Sequence, residues 1–560
     1  MTAETNSQST VSSSKGHSSS SIKNGNSSTI KSTVNNSKTT SVSNSSNATS
    51  SDKTEVTETV NSENVATDNS AAETASNDNA NISLESETGF EQRFQRIAVG
   101  ESFNAATVFG SGVSNVKVIN SNIASASGTT ITAKAFGRTQ VVGTVNGEMS
   151  IIELEVRTSS SDVAAPMVAA GGGHTVALKK DGTVWTWGNN GVGQLGDGTS
   201  VTKAYPVQVF AGEENDSSTG YLNNIIQISA GSNYVMALKK DGTVFTWGQN
   251  IYGQLGNGSS VNSMLPVQVK SADGNSFLTD IVQISAGYVH SMALKKDGTV
   301  LAWGRNDGGQ LGNNKTSNKS LPVQVKGGAS GSEYLTDVVQ VTAGNWHSMA
   351  LKANGTVYAW GWGQYGQLGN GYTTNSYDSD QYIGEKIYSA PVQVLNGAQT
   401  SETGYLKEVV QIDAMGGTGH DDRNRFGTSL AVTESKEVYG WGNSLYGALG
   451  VKSSIVSTPV RVATGISTAV QVAGGGKSGS DDWHVNSIGN TGYTYILKED
   501  GTVSSLGYNV NGELGNGAKV STTAVQEVSN LTKIMQVAGS KNGNFGCSGK
   551  GRRNSLDMGC

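Results

Sequence analysis

Three segments in the second half of the chain concentrate side chains that could bind a partner. They run from Tyr372 to Tyr382, from Gly419 to Arg425 and from Ser480 to Asn486. Tyrosine, tryptophan and arginine are enriched in protein-binding hot spots, and Asp and His add polar contacts. The candidate binding residues are Tyr372, Tyr377, Asp378, Tyr382, His420, Asp421, Arg423, Asp481, Trp483 and His484. The competing interpretation is that these are polar insertions tolerated at the surface.

The same segments contain residue types for two further kinds of chemistry. His420, Asp421, Asp481 and His484 are possible ligands of a divalent metal. Asp421 and Asp481 could also form a carboxylate pair that acts on polysaccharide. Adjacent Asp-Asp pairs on loops are usually solvated, so we predict neither a metal site nor a catalytic pair.

Other motifs do not support catalysis. Gly474 to Ser478 is similar to the end of a phosphate-binding loop, but Gln471 stands where that motif requires glycine. The metalloprotease motif His-Glu-x-x-His and the hydrolase motif Gly-x-Ser-x-Gly are absent from the sequence. We therefore expect a non-catalytic protein without a cofactor. His174, His290 and His347 recur at one repeat position, where we expect each to make a structural hydrogen bond.

Composition limits the class of partner. The 560 residues include 39 Lys and Arg against 45 Asp and Glu, and this net charge of −6 argues against nucleic-acid binding. The only two cysteines, Cys547 and Cys560, exclude a disulfide framework. No run of 18 apolar residues is present, so we expect no membrane insertion.

The first 158 residues divide into two regions. Residues 1–90 include 51 Ser, Thr or Asn, so they have too little apolar surface to fold and are predicted to form a disordered tether. Residues 91–158 show short alternating strands that predict a small β-sandwich. Asn120 to Ser125 and Ile152 to Val156 make this region similar to group 2 bacterial immunoglobulin-like domains. That resemblance implies a spacer or adhesive module of bacterial surface and secreted proteins.

Residues 165–545 are a repeat. A pattern of Ala-Gly, His-Ser or His-Thr, Ala-Leu, Asp-Gly-Thr-Val, Trp-Gly and Gly-Gln-Leu-Gly returns around Trp187, Trp247, Trp303, Trp360 and Trp441. Each unit predicts four antiparallel strands, with Asp-Gly as a two-residue hairpin turn. Four strands repeated at this interval are typical of a β-propeller blade.

This pattern resembles the regulator of chromosome condensation repeat family. The consensus is nearly complete in Gly171–Gly196, Gly231–Gly256, Gly287–Gly312 and Gly344–Gly369. Later units depart from it: Ala448 and Glu513 replace Gln, and Leu506 replaces Trp. The resemblance implies a seven-bladed ring of bacterial type. We therefore predict an all-β fold with an N-terminal sandwich and a propeller of six full blades and a truncated seventh.

The end of the chain does not continue the repeat. The seventh unit begins at Ile534 to Gly539, but residues 546–560 show no strand pattern. Read one base over, Met558-Gly559 would encode tryptophan, as the repeat requires. We hypothesise that the reading frame slips near Phe545, so that residues 546–560 are an aberrant tail.

Alternate loops of a propeller blade share a face, so the three insertions are predicted to lie on one face of neighbouring blades. We expect a monomeric bacterial surface or secreted protein that binds a protein or glycan partner through this face. The family resemblance leaves two alternatives, a β-lactamase-inhibitor-like propeller and a guanine-nucleotide-exchange-type regulator. Cytoplasmic residence is the alternative location, because Met1 to Lys15 lacks the apolar segment of a signal peptide.

Overall fold

The computed structural model describes residues 93–212, 220–328, 333–373, 386–399, 403–416, 426–476, 492–540, 546–552 and 555–559. The predicted tether, residues 1–90, lies outside the described residues. The described part is built almost entirely of β-strands, as predicted.

Residues 94–157 form a small β-sandwich. Its elements are β1 (Phe94–Ala98), β2 (Ser102–Asn104), α1 (Ala106–Phe109), β3 (Ser114–Val118), β4 (Ala124–Ser127), β5 (Thr130–Ala133), β6 (Gly137–Val145) and β7 (Glu148–Arg157). One sheet has the order β1-β7-β6-β3 and the other β2-β5-β4. Because side chains alternate along a strand, Ile152, Leu154 and Val156 of β7 point into the sandwich core. Ile151, Glu153 and Glu155 therefore face the opposite way.

The rest of the described chain forms consecutive sheets. The first three are β8 (Met167–Ala170), β9 (His174–Leu178), β10 (Val184–Gly188), β11 (Lys203–Gln208); β12 (Ile225–Ala230), β13 (Tyr234–Lys239), β14 (Val244–Gly248), β15 (Ser263–Gln268); and β16 (Ile281–Ala286), β17 (His290–Lys295), β18 (Val300–Gly304), β19 (Lys319–Gln324). The next three are β20 (Val338–Ala343), β21 (His347–Lys352), β22 (Val357–Trp362), β23 (Ile387–Gln393); β24 (Val409–Met415), β25 (Thr428–Thr433), β26 (Val438–Asn443), β27 (Ile455–Val462); and β28 (Ala469–Gly475), β29 (Tyr493–Lys498), β30 (Val503–Gly507), β31 (Thr522–Glu527). The last is β32 (Ile534–Gly539), β33 (Gly546–Arg552) and β34 (Ser555–Gly559). Within each sheet, consecutive strands pair antiparallel.

Because residues 546–560 lack a strand pattern, no strands were predicted there. This prediction was wrong for Gly546–Arg552 and Ser555–Gly559, which form strands. β33 pairs with β32, and β34 pairs with β33. Main-chain hydrogen bonds hold these strands, and such bonds need no apolar alternation in the sequence. The seventh sheet therefore has three described strands where the first six have four. The frame-slip hypothesis stays a prediction.

The Asp-Gly hairpins are longer than predicted. Gly298 donates its N–H to Lys295 O at 2.9 Å, and Lys295 donates to Thr299 O at 2.9 Å. Gly298 has a φ of 78°. The loop is thus a three-residue hairpin with glycine in the left-handed position, a geometry that matches the twist of the strands. Asp297 accepts the N–H of Thr299 at 2.9 Å and stabilises the turn.

The Gly-Gln-Leu-Gly motif fits each sheet to its neighbour. Trp303 donates its indole N–H to Gln254 O at 2.9 Å, across the seam between the second and third sheets. A Cβ at Gly256 would lie 2.6 Å from Nε1 of the same tryptophan, so only glycine fits there. Trp247, Trp360 and Trp441 make the equivalent hydrogen bond to the preceding sheet. The repeat motif therefore encodes the packing between sheets.

Glutamine side chains fasten the first strands into a ring around a central channel of about 200 Å³. Gln283 accepts the N–H of Val341 at 2.7 Å, on the first strand of the next sheet. Gln227, Gln340, Gln411 and Gln471 make the same bond at four further seams. The first sheet has Met167 at this position, so the seam between the first and second sheets lacks the bond. Gln536 of β32 accepts the N–H of Val168 of β8 at 3.1 Å. This last bond joins the seventh sheet to the first and closes the ring.

Candidate partner-binding face

The propeller has two faces with different loops. We call the loops between first and second strands, and between third and fourth strands, the insertion face. We call the turns between second and third strands, together with the connections between sheets, the turn face. The antiparallel order of every sheet puts these two sets of loops at opposite strand ends.

The β-sandwich packs on the turn face. Ile119, Val142 and Ile151 of the sandwich belong to one buried apolar cluster with residues of the fourth and fifth sheets. Lys117 Nζ lies 2.7 Å from the carboxylate of Glu434, which is in the second-to-third turn of the fifth sheet. Arg138 donates to Ile226 O at 2.7 Å, at the start of the second sheet. The sandwich therefore contacts several sheets at this end of the ring.

A partly buried carboxyl lies in this interface. Glu153 borders a cavity of about 50 Å³ between the sandwich and the third sheet. Burial raises the pKa of Glu153 to about 8, partly opposed by Gln140 and Arg138. The Gln140 amide lies 3.1 Å from the Glu153 carboxyl. The neighbouring Glu155 is instead bridged to Arg138 at 2.8 Å. Glu153 thus holds its proton more strongly than an ordinary carboxyl does.

The strand ends that flank the three insertions all lie on the insertion face. The insertions connect β22 with β23, β24 with β25, and β28 with β29. Of the ten predicted binding residues, only Tyr372 is among the described residues. The other nine lie outside them: Tyr377, Asp378, Tyr382, His420, Asp421, Arg423, Asp481, Trp483 and His484. The possible metal ligands and the possible carboxylate pair are among these nine.

Tyr372 belongs to an aromatic and cationic cluster. Its ring centre lies 6.5 Å from that of Tyr388, edge to face. Lys386 Nζ lies 3.8 Å from the centre of the Tyr372 ring and 5.7 Å from that of Tyr388. Cation–π contacts of this kind hold a lysine against aromatic faces and fix their orientation. Tyr372 is half-buried and retains surface for a partner.

The structure shows aromatic and cationic contacts beneath the insertion face that the sequence analysis missed. The guanidinium of Arg305 lies 4.7 Å from the ring centre of Tyr252 and 4.3 Å from that of Trp346. Asp307 holds the same guanidinium with two contacts of 2.8 Å. The ring centres of Tyr365 and Phe426 lie 4.5 Å apart, between the fourth and fifth sheets. Arg305, Trp346, Tyr365 and Phe426 are all buried, so these contacts support the loops of the insertion face from beneath.

Part of this set of aromatic residues could have been found in the sequence, because it recurs at one position of the repeat. Tyr252, Tyr365 and Tyr446 occupy one repeat position, two residues before Gln254, Gln367 and Ala448. The position lies in the third-to-fourth loop, so its side chains belong to the insertion face. Aligning the repeats would have found it, whereas searching for insertions did not.

The repeat histidines are mainly structural. His290 Nε2 lies 2.9 Å from Ser348 Oγ of the next sheet, and His347 Nε2 lies 2.9 Å from Ser429 Oγ. His174 has no hydrogen-bond partner among the described residues, because Val235 stands where the later sheets have serine. Burial lowers the pKa of His174 to about 4. The predicted hydrogen bond is confirmed for two of the three histidines.

Within the described ranges, no group of three or more His, Cys, Asp or Glu side chains could hold a metal ion. In the same part of the chain, no helix has the length and apolar character needed to span a membrane.

Comparison with known proteins identifies the repeat. The model of the RCC1-like domain family matches residues 134–545, well over half of the chain. The chain belongs to the RCC1-like domain family. The matched segment begins at Lys134, inside the β-sandwich, so it includes β6 and β7 as well as the propeller.

Two curated relatives share this RCC1-like domain. The chain is 28% identical over 394 residues to the ultraviolet-B receptor UVR8 of Arabidopsis thaliana, covering 65% of this chain and 82% of that protein. It is 35% identical over 211 residues to the human E3 ubiquitin-protein ligase HERC2, covering 37% of this chain. That match spans only 4% of HERC2.

A solved structure supports the fold. The crystal structure of Prp20p from Saccharomyces cerevisiae matches with a TM-score of 0.50 and 21% identity, covering 69% of this chain and 82% of that one. At this identity the likeness concerns the RCC1-like fold alone.

Proposed function

We propose that this protein is a non-catalytic binding module whose insertion face engages a protein partner. The carrying observation is that the sandwich packs on the turn face, so the insertion face is the end of the ring left for a partner. The half-buried Tyr372 lies on that face, and the strand ends that flank the three insertions lie at the same end of the ring. Tyrosine side chains that packing holds in place are well suited to binding hot spots.

The relatives support a role in protein interaction. The solved Prp20p structure is described together with its binding to Gsp1p and histones. UVR8 is named as a receptor and HERC2 as a ubiquitin-protein ligase. These activities belong to those proteins, and the propeller is the part that this chain shares with them. A fold can support many functions, so the proposal depends on the face described above.

The finer proposal concerns location. We propose a bacterial surface or secreted protein, in which the Ser, Thr and Asn-rich region carries the sandwich and propeller away from a surface. Its support is the composition of residues 1–90 and the resemblance of the sandwich to bacterial immunoglobulin-like domains. Detection of the protein in the surface fraction of intact source cells, by protease shaving and mass spectrometry, would test it. Recovery only after lysis would contradict it.

Site-specific photo-crosslinking tests the binding face. A benzophenone amino acid placed at Tyr372 of the full chain is expected to capture one partner protein in source cells. The matched control is the same amino acid at Tyr405, a tyrosine 47% exposed in a connection on the turn side of the ring. Equal capture at both positions would contradict the proposal.

Affinity measurements with the captured and purified partner complete the test. We expect Tyr372→Ala to weaken binding about tenfold, which corresponds to a moderate hot spot. Tyr405→Ala is expected to leave the affinity unchanged. A loss of affinity in the Tyr405 variant alone would place the partner on the other face.

A further inference from the structure

The third-to-fourth loop of the fifth sheet differs from the same loop in the first four sheets and the sixth. In those loops a Gln or Glu side chain accepts the backbone N–H of the residue two positions before it. The pairs are Gln194 with Val192 at 3.0 Å, Gln254 with Tyr252 at 3.0 Å, Gln310 with Gly308 at 2.9 Å, Gln367 with Tyr365 at 2.8 Å and Glu513 with Asn511 at 2.9 Å. We call this contact the loop clamp.

The fifth sheet has no loop clamp, because Ala448 stands at the clamping position and has no acceptor. Tyr446, the residue whose N–H would be held, has a φ of 65°. This left-handed conformation is uncommon for a residue with a bulky side chain. Tyr446 is 42% exposed, whereas Tyr365 at the same position of the fourth sheet is 7% exposed. In the fifth sheet, where the loop clamp is absent, the tyrosine at this position is therefore more exposed than Tyr365 in the fourth sheet.

The exposed ring is held in a fixed orientation. Its centre lies 5.2 Å from that of Tyr508 of the sixth sheet, with the ring planes at 73°. This edge-to-face contact is a favourable arrangement for aromatic pairs. The next residue, Gly447, lies so close to Thr523 that a Cβ would meet its side chain at 2.6 Å. Tyr446 is thus presented rigidly, at a point where two sheets meet.

A groove of about 530 Å³ lies beside this ring, between the fifth and sixth sheets. Its volume is within the range of small-molecule sites. The lining combines Tyr446 with two aliphatic side chains, five hydroxyl side chains and one cation: Leu445, Val451, Ser444, Ser454, Ser521, Thr522, Thr523 and Lys452. The residues lining this groove include no carboxylate. The groove therefore offers an aromatic face and several hydroxyl groups, with little charge.

We propose that this groove binds a neutral saccharide. A pyranose ring has an apolar face of C–H groups, which suits an exposed tyrosine ring, and equatorial hydroxyls, which suit serine and threonine. Ser and Thr hydroxyls both donate and accept hydrogen bonds, as sugar hydroxyls do. A nucleic acid or an acidic ligand would require more cations than Lys452. This groove lies on the insertion face, as the proposed protein-binding site does, but it differs from that site in ligand class, and its test does not require a protein partner.

Saturation-transfer NMR with the full chain tests the proposal. The probes are neutral oligosaccharides of glucose, xylose, mannose and galactose, tested one by one. We expect transfer to the ring C–H protons of at least one probe, and an affinity about tenfold weaker in Tyr446→Ala. The matched control is Tyr205→Ala, which removes a tyrosine 62% exposed on β11 and should leave binding unchanged.

A second variant tests the cause of the exposure. Ala448→Gln restores the loop clamp and is expected to draw Tyr446 back into the turn, which weakens saccharide binding while the melting temperature stays the same or rises. Three results would overturn the proposal: no probe binds, binding is equal in Tyr446→Ala and the parent, or a peptide library binds at Tyr446 where no saccharide does.

Discussion

The turn face and the insertion face are made by opposite ends of the same strands, yet the β-sandwich packs on the turn face and leaves the insertion face open. Glycine turns such as Asn354-Gly355 lie under the sandwich, where a Cβ on Gly355 would meet the Met149 sulfur at 2.8 Å. At the other end, loops differ from sheet to sheet, with three insertions and the released Tyr446. The second-to-third turns of the first six sheets keep nearly one length, whereas the loops at the open end vary. This difference is the reason to look for function on the insertion face.

The largest expected effect is on the free energy of unfolding, and it is seen by comparing substitutions of two isoleucines, one at each face. Ile151 is fully buried in the cluster between sandwich and propeller, and Ile251 of the insertion face is 54% exposed. Ile151→Asp buries a charge without a partner and should lower the free energy of unfolding by about 3 kcal/mol. Ile251→Asp should change it by no more than about 0.5 kcal/mol. Urea titrations of both variants measure the difference, and similar losses would show that the sandwich does not cover the turn face.

The next effect concerns alkaline pH at the turn face. The pKa of Glu153 is raised from 4.5 to about 8, so the folded protein binds a proton that the unfolded chain releases. The contribution of protonated Glu153 to the stability of the folded protein is fully present below pH 4.5 and is lost as the pH rises through 8. The facing groups are Arg138 and Gln140 on β6, Phe94 and Arg96 on β1, and Val282 and Gln283 on β16.

Melting temperatures between pH 5 and pH 9 test this dependence. Glu153→Gln keeps a neutral side chain of the same shape and should make the decline with rising pH shallower. Glu148→Gln, at an exposed position of the same strand, serves as the control and should keep the parent slope. An unchanged slope in the Glu153 variant would show that another group causes the decline.

The smallest effect concerns acid pH at the insertion-face end of the first sheet. The pKa of His174 is lowered from 6.5 to about 4, so its contribution to stability is complete above pH 6.5 and is lost as the pH falls through 4. His174→Gln removes this titration. The difference in unfolding free energy between pH 7 and pH 4.5 should therefore be smaller in the variant than in the parent. Equal differences would mean that His174 is protonated without cost, as in an exposed site.

The sequence predicted much of the fold because the repeated residues themselves make the contacts between neighbouring sheets. Gly256 and Trp303 recur together because one makes room for the other across a seam. The shared face of the three insertions followed from strand alternation alone. The sequence analysis failed for β33 and β34, where main-chain pairing occurs without an apolar pattern, and for His174, whose expected partner is replaced by Val235.

The binding role of the candidate residues stays a prediction, and the structure describes the place of one of the ten. Tyr372 lies on the expected face, but Arg305 and Trp346 come together from different sheets, 41 positions apart, and neither lies in an insertion. The exposure of Tyr446 depends on Ala448, a substitution visible in the repeat, but its consequence depends on the backbone of the loop.

By itself, the sequence determined the strands, their order and the loops that share a face, because these follow from side-chain alternation and from a repeat that pairs neighbouring sheets. Only the tertiary structure decided which face the sandwich covers. That choice rests on contacts such as Lys117 with Glu434, which join residues 317 positions apart. Surfaces that distant in the chain fit by shape and charge, and no local pattern records such a fit.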